Sequence, residues 1–516
     1  MMKWGGNNWM GRNVQLVLGG PGTGKTTYFV GRDADERGEE LPGVIGNMLA
    51  TGIRPEEIAY VSFTKKAAQE AANRAARRFG FEPDDLIHFR TIHSMAYRGA
   101  GVSHNEVMQR EDYRQVARLL GVQFTGYYDP ADGPANPSKE GDLILQWMDF
   151  ARARCIDIKQ VWQQSGEAVE WKLVQKFVAT VEQYKQDTGK LDFADMLERF
   201  TTSGYRVPVK AAIIDEAQDL STAQWNAARS AFRNVPTIYL GGDDDQAIHS
   251  WAGADVEHLL RIKAERIVLP VSHRLPVEVF NLATSIAARI RHRFPKDWKP
   301  ATHSGHVHHV ATPDNVKVND GRTWMLLARN SCFLGDYEVM CKEQGVPYTK
   351  AGKRSVDSDH VEAIITWERL RKGAEISTED AANAARFIRG FRYKAPTVEG
   401  STTLRQLQDD HGLQVGETIW HDALDRIHPE DREYYTHCLR NGYRIQDEPP
   451  VHIGTIHSVK GGEADAVILK SDMTYRTAAG MERDPDGEHR TFYTGATRAK
   501  RELYIVDKQE REGYGI

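Results

Sequence analysis

The sequence predicts an α/β protein built on two parallel-sheet domains, each interrupted by a mainly helical stretch. Three observations carry that prediction. Short apolar runs alternate with helical segments, the pattern of parallel strands joined by crossover helices. The alternation stops between Arg98 and Lys190 and again from about Gly352 to Pro450, and it resumes each time. A glycine-rich loop, "GGPGTGKT" (Gly19 to Thr26), falls where a strand gives way to a helix.

Taken in order, "VQLVL" (Val14 to Leu18) is a buried strand, and the residues from about Lys25 onward are helical. "IAYVSF" (Ile58 to Phe63) is the second strand. "TKKAAQEAANRAARRF" (Thr64 to Phe79) is an alanine-rich helix with Thr64 as its N-cap. "AAIID" (Ala211 to Asp215) and "TIYLGG" (Thr237 to Gly242) are two further strands. After Ile267 the rhythm returns with "IVLPV", a helix from Pro276, "WMLLAR" (Trp324 to Arg329) and a helix to Gln344; it closes with "AVIL" and "LYIV". The Pro/Gly-rich "GYYDPADGPANPSKEG" (Gly126 to Gly141) is a loop inside the first helical stretch, and no internal repeat is evident.

Length, 516 residues, allows about three or four domains. Formal charge is −5, from 67 basic and 72 acidic residues. Such an average does not exclude nucleic acid, which needs only a local basic track. The four cysteines form no CxxC pair, which fits a reducing compartment without zinc fingers or disulfides. No apolar run of membrane-spanning length exists and the N-terminus lacks a signal-peptide core, so a soluble cytoplasmic protein is expected. The histidine cluster "HSGHVHHV" (His303 to Val310) has no Cys or acidic partner at ligand spacing and is expected to be a solvated loop or edge strand.

The chemistry concentrates at strand ends. In "GGPGTGKT" the glycines let backbone N–H groups wrap a polyphosphate at a helix N-terminus. Lys25 is placed to neutralise β- and γ-phosphates, and Thr26 to hold Mg²⁺. "AAIIDEAQ" ends a strand in two adjacent carboxylates. Side chains alternate along a strand, so the two take different roles: Asp215 orients the metal and Glu216 polarises an attacking water. "GGDDDQAIHSWAGAD" (Gly241 to Asp255) puts Asp243, Asp244, Asp245 and Gln246 at a phosphate-side end, with Gln246 directed at the γ-phosphate or the water. His249 and Trp251 lie at the other end. Trp251 is either a platform for unpaired bases or a core residue.

Ten blocks occur in a fixed order: "GGPGTGKT", "VSFTKKAA", "RTIHSMAYR", "LDFADML", "IIDEAQDLSTAQW", "GGDDDQAIHSWAGAD", "SHRLP", "LLARNSCFLGDYEVMCKEQGVPY", "GTIHSVKGGEADAVIL" and "YTGATRAKREL". Together they resemble the superfamily 1A DNA helicases of the UvrD/Rep type. The resemblance implies two RecA-like parallel-sheet P-loop motor domains, each with a mainly helical insertion. In that division 1–97 and 190–262 form motor domain 1A around insertion 1B at 98–189; 263–351 and 450–516 form motor domain 2A around a shortened insertion 2B at 352–449. It also implies an ATP- and Mg²⁺-dependent translocase and helicase that moves 3′ to 5′ on single-stranded DNA and opens tailed duplexes. The alternatives are a translocase that mainly displaces bound proteins, an inactive DNA-binding module, and an RNA track. Intact Lys25, Thr26, Asp215, Glu216, Gln246, Arg274 and Arg498 oppose an inactive module.

Residue by residue, the resemblance assigns Gly20, Gly22, Thr23, Gly24, Lys25, Thr26, Thr27 and Glu463 to the nucleotide. Arg274 and Arg498 look like the two arginines that reach the γ-phosphate from the second motor domain. Phe63, His93, Trp251, Arg329, Thr455 and His457 match positions lining the single-strand track, and His249 is placed beside Trp251 to stack on the same strand. Three departures stand out. The family's adenine-reading Gln has no counterpart near Trp4, and Gln15 lies inside a strand; the family's Tyr before the arginine is His273; and the aromatic and arginine flanking the Trp are His249 and Ala252. The first two predict relaxed choice of base, the third a weaker or differently gated grip on DNA. The chain runs only a short way past "YTGATRAK", so a stripped motor is expected.

Overall fold

The computed structural model describes residues 13–34, 38–126, 139–395, 397 and 399–516. The segment around Trp4 and most of the Pro/Gly-rich loop lie outside the described residues. The chain divides into two compact units, one comprising Met1–His306 with Arg476–Arg501 and the other Val307–Tyr475 with Glu502–Ile516.

The first unit is built on six strands: β1 (Asn13–Leu18), β2 (Ile58–Ser62), β3 (Phe89–Thr91), β4 (Ala211–Asp215), β5 (Thr237–Gly242) and β6 (Glu265–Val268). All pair in parallel, in the order β3-β2-β4-β5-β1-β6. Every residue of β2 and β4 is buried, as expected for strands covered by helices on both faces. The register aligns their C-terminal ends: Ser62 faces Asp215, and Leu18 faces both Gly242 and Val268. Polar loops therefore leave one edge of the sheet, where ligands bind in open α/β folds.

Helix Lys65–Phe79 forms as its sequence indicates. The Thr64 hydroxyl accepts from the Ala67 N–H at 3.2 Å, Gly80 ends the helix at φ 71°, and Ala68, Ala71 and Ala75 line its buried face. Helices Arg110–Leu120, Glu140–Arg154, Ile158–Ser165 and Trp171–Thr188 enclose a core of their own around Trp147, Val174 and Phe177. This core is tied down through "LDFADML". Asp192 caps helix Phe193–Thr202, and Arg152 and Lys185 of the insertion pair with both Asp192 and Asp195.

The second unit carries β7 (His306–Val310), β8 (Trp324–Ala328), β9 (Tyr348–Lys350), β10 (Lys353–Arg354), β13 (Val451–Thr455), β14 (Ala464–Lys470) and β15 (Ala499–Val506), ordered β10-β9-β13-β8-β14-β15-β7, with a separate pair β11 (Ile376–Ser377) and β12 (Ser401–Thr402). The histidine cluster is an edge strand, as expected. The 352–449 stretch is mainly helical and shares one core with the sheet, where Trp367 and Trp420 join Trp324 and Ile468.

One difference from the sequence division has a physical cause. The run predicted to open the second sheet is β6, and it pairs with β1 of the first sheet from Gln15↔Glu265 to Leu18↔Val268. Residues 263–306, assigned from sequence to the second motor domain, lie in the first compact unit with β6, and residues 476–501 lie there too.

Candidate active site

The loop after β1 is shaped by glycine. Gly22 and Gly24 hold φ of 73° and 80°, a region that side chains rarely adopt. A Cβ on Gly22 would lie 2.3 Å from the Cβ of Arg274, and one on Gly20 would lie 2.6 Å from the Trp298 ring. The "SHRLP" segment thus seats directly on this loop. The Ser272 hydroxyl donates to the Pro21 carbonyl at 2.8 Å, and the His273 N–H donates to the Gly22 carbonyl at 2.8 Å. The Thr23 hydroxyl donates to Gly20 O and Lys25 Nζ to Gly19 O, each at 2.9 Å. Lys25, Thr26 and Thr27 open helix Lys25–Val30.

β5 lies between β1 and β4, and its glycines let the acidic end of β4 approach. A Cβ on Gly241 would meet Phe29 at 2.5 Å and the Asp215 carboxylate at 3.0 Å. Asp215 is buried. Its Oδ2 accepts from the Tyr60 hydroxyl at 2.5 Å and its Oδ1 from the Glu216 N–H at 2.9 Å. Burial, then the adjacent Glu216, pushes the Asp215 carboxyl up to about 6, against the opposing pull of the Tyr60 hydroxyl. Glu216 sits at φ 53°, so the chain turns sharply at the end of β4. Gln218 donates its amide N–H to Glu216 and accepts from the Asp243 N–H at 3.1 Å, joining the ends of β4 and β5.

Asp244 and Asp245 are held by basic side chains of the segment before Trp298. Lys296 Nζ lies 3.0, 2.6 and 2.8 Å from Asp243, Asp244 and Asp245, and Arg293 grips Asp245 through two bonds of 2.7 and 2.5 Å. Burial alone would lower the Lys296 pKa; the three carboxylates outweigh it and hold the ammonium charged. Asp243 retains a site-facing role, since it accepts from Gln246 Nε2 at 2.7 Å and lies in the field of Lys25. The other end of the Gln246 amide accepts from Arg498 Nη2 at 2.7 Å. Arg498 is only 1 % exposed, and its Nε donates to the Thr494 carbonyl at 2.9 Å.

Further along the same loop, His249 is buried and stacks on Phe63 with centroids 5.2 Å apart at 30°, and Trp251 tilts against His249 at 6.3 Å. Trp251 and Phe63 are half-buried, so His249 backs the pair more than it offers a face. His93 stands in the first turn of helix Ile92–Gly99, which follows β3, with Phe193 edge-on at 5.7 Å and Gln224 Nε2 3.3 Å from its Nδ1. Burial lowers its pKa to about 4. In the second unit, Arg329 and Thr455 lie at the C-terminal ends of the paired strands β8 and β13, with His457 two residues further on; Arg329 and His457 are buried. Glu463 is exposed just before β14. Gln15 uses its amide on Glu265 at 3.3 Å.

Tyr60, Gln218, Ser272, Arg293 and Lys296 were not singled out from the sequence. Gln218 lies inside a quoted block and so carried a signal; Tyr60 was hidden in an apolar strand.

Two family models match the chain: the UvrD/REP helicase N-terminal domain over residues 8–266 and the UvrD-like helicase C-terminal domain over residues 450–506. DNA helicase II of Haemophilus influenzae is 25 % identical over 308 residues, covering 55 % of this chain and 39 % of that protein. The ATP-dependent DNA helicase PcrA of Staphylococcus aureus is 24 % identical over 404 residues, covering 69 % of this chain and 51 % of that protein. The chain thus spans about two-fifths to half the length of these relatives. The first model alone covers half of the 516 residues and takes in β1 to β5 with every loop that leaves them, and on that ground the chain belongs to the UvrD/Rep helicase family.

Proposed function

We propose that the chain hydrolyses ATP and uses it to move along single-stranded DNA in the 3′ to 5′ direction, opening tailed duplexes. The observation that carries this reading is the loop from Asp243 to Trp251. One end holds the Gln246 amide between Asp243 and Arg498, and the other holds Trp251 and His249 beside Phe63. A change in what Gln246 or Arg498 touches is felt a few residues away by the aromatics on which bases stack.

In this reading Gly20, Gly22, Thr23 and Gly24 wrap the phosphates and Lys25 neutralises them. Thr26 and Asp215 hold Mg²⁺. Asp215 suits that role because it is buried with its two oxygens already oriented by Tyr60 and the Glu216 N–H. Bound Mg²⁺ neutralises charge on the phosphate oxygens; such an ion keeps waters and needs few protein ligands. Among the described residues no group of three or more His, Cys, Asp or Glu could hold a metal by itself. Glu216 takes the proton of the attacking water, and Arg274, packed on Gly22, stands beside the phosphate loop to stabilise developing charge. Phe63 and Trp251 take the bases, while Arg329, Thr455 and His457 meet the strand at the edge of the second sheet. With Gln15 engaged by Glu265, base choice is relaxed. Among the described residues no helix is long and apolar enough to cross a membrane.

The test is ATP hydrolysis with and without oligo-dT, wild type beside Glu216→Gln. The expected result is strong stimulation by oligo-dT and a loss of about 100-fold or more in the variant. Hydrolysis indifferent to DNA would sink the proposed coupling through the 243–251 loop.

A further inference from the structure

We propose that Tyr60 is a positioning residue for the metal ion of this site, setting the orientation of the Asp215 carboxylate from the neighbouring strand. The inference rests on the reading of Asp215 as a metal ligand and adds a residue to it.

Tyr60 lies in the middle of β2, inaccessible to solvent, and its hydroxyl donates to Asp215 Oδ2 at 2.5 Å. A phenol donating to a carboxylate makes one of the stronger hydrogen bonds. The ring cannot swing away. It stacks on Phe89, with centroids 5.5 Å apart at 16°, and meets Phe29 edge-on at 6.3 Å. Phe29 belongs to the helix that begins at Lys25 and Thr26. The same aromatic contact therefore ties the angle of the Asp215 carboxylate to the helix carrying the hydroxyl ligand.

A second observation points to the same place. Ser62 lies two residues beyond Tyr60 on the same strand, hence on the same face, and pairs in register with Asp215. It is 0 % exposed, and its hydroxyl has no hydrogen-bond partner among the described residues. A buried hydroxyl beside a carboxylate is expected to find a partner. The water shell of a cation held by Asp215 supplies one. Tyr60 and Ser62 thus form a polar strip behind the ligand in a strand that is otherwise apolar.

Tyr60→Phe removes one oxygen and leaves the ring contacts intact. The test is Mn²⁺ binding in the presence of ADP, followed by electron paramagnetic resonance of the free ion, with ADP affinity in EDTA and the thermal midpoint measured alongside. The expected result is Mn²⁺ affinity about tenfold weaker, with ADP affinity in EDTA and the midpoint close to wild type. Ser62→Ala weakens Mn²⁺ binding in the same direction by a smaller factor. Equal Mn²⁺ affinity in Tyr60→Phe and wild type overturns the inference. So does a parallel fall in ADP affinity and thermal midpoint, which marks Tyr60 as a core residue only. Wild-type protein that takes up no Mn²⁺ with ADP overturns the nucleotide reading and this inference with it, an outcome distinct from both.

Discussion

In the first unit, Lys296 sits among Asp243, Asp244 and Asp245 with none of the four side chains more than 1 % exposed. In the second unit, Lys470 at the end of β14 is also buried, but its acidic partner Asp336 has a side chain 70 % exposed, and the rest of its surroundings are the Phe333 carbonyl and the Tyr337 ring. Both lysines stand near the polar edge of a sheet. One is locked in a closed charge cluster beneath a loop that bears Gln246 and Trp251. The other is buried but pairs with an acid that water reaches. Similar architecture therefore does not imply similar rigidity, and the fixed geometry is found where the loop joins two candidate functions.

That contrast can be broken by paired substitutions. Lys296→Met leaves Asp243 and Asp244 without their cation, while Asp245 keeps Arg293, and is expected to cost about 3–5 kcal/mol. Lys470→Met leaves an acid that water can solvate, and about 1 kcal/mol or less is expected. Urea denaturation of the two variants side by side measures the difference; equal costs would erase it. Gly22→Ala tests the close seating of Arg274 on the phosphate loop. A left-handed backbone and a contact of 2.3 Å both oppose the new methyl, so nucleotide affinity is expected to fall about tenfold or more in a fluorescent-ADP titration. Unchanged affinity would mean that the loop and "SHRLP" separate freely.

The smallest effect concerns His93. Burial depresses its folded pKa to about 4, below the ordinary value of 6.5, so the folded state prefers the neutral ring. That preference costs nothing above pH 6.5 and destabilises the fold as pH falls from 6.5 toward 4, because only the unfolded chain takes up the proton. A loss on the order of 1 kcal/mol between pH 7 and pH 5 is expected, and His93→Gln should remove it. The Gln224 amide 3.3 Å from Nδ1 suits a neutral ring, which can accept there. Identical pH dependence in variant and wild type would place the proton elsewhere.

Much of the first sheet was legible in the sequence. β4 and β5 have the expected bounds, the N-cap at Thr64 forms, and the glycine loop lies between strand and helix. Membership of β6 was not legible, because an apolar run announces a strand without saying which edge it will pair with. The aspartate cluster was half legible: three adjacent carboxylates announce a site, but their cation comes from "FPKDWK", where no periodicity marks it. Tyr60 was missed because a β-propensity residue in an apolar run looks like core until its hydroxyl has a partner.

The division of the first unit into two separated stretches of chain, Met1–His306 and Arg476–Arg501, bears on how the protein is made. Gln246 leaves the ribosome early, whereas Arg498, which holds its amide, and Arg490, which donates to the Asp244 carbonyl, emerge only after most of the second unit. At about 5–20 residues per second, the stretch from Gln246 to Arg498 takes roughly 13 to 50 seconds to synthesise. A nascent chain in that interval carries the phosphate loop and both acids without the arginine that holds Gln246. Until Arg498 is made, the Gln246 amide oxygen lacks the guanidinium that fixes it, so the order of synthesis separates the glycine loop from the completed Gln246 contact.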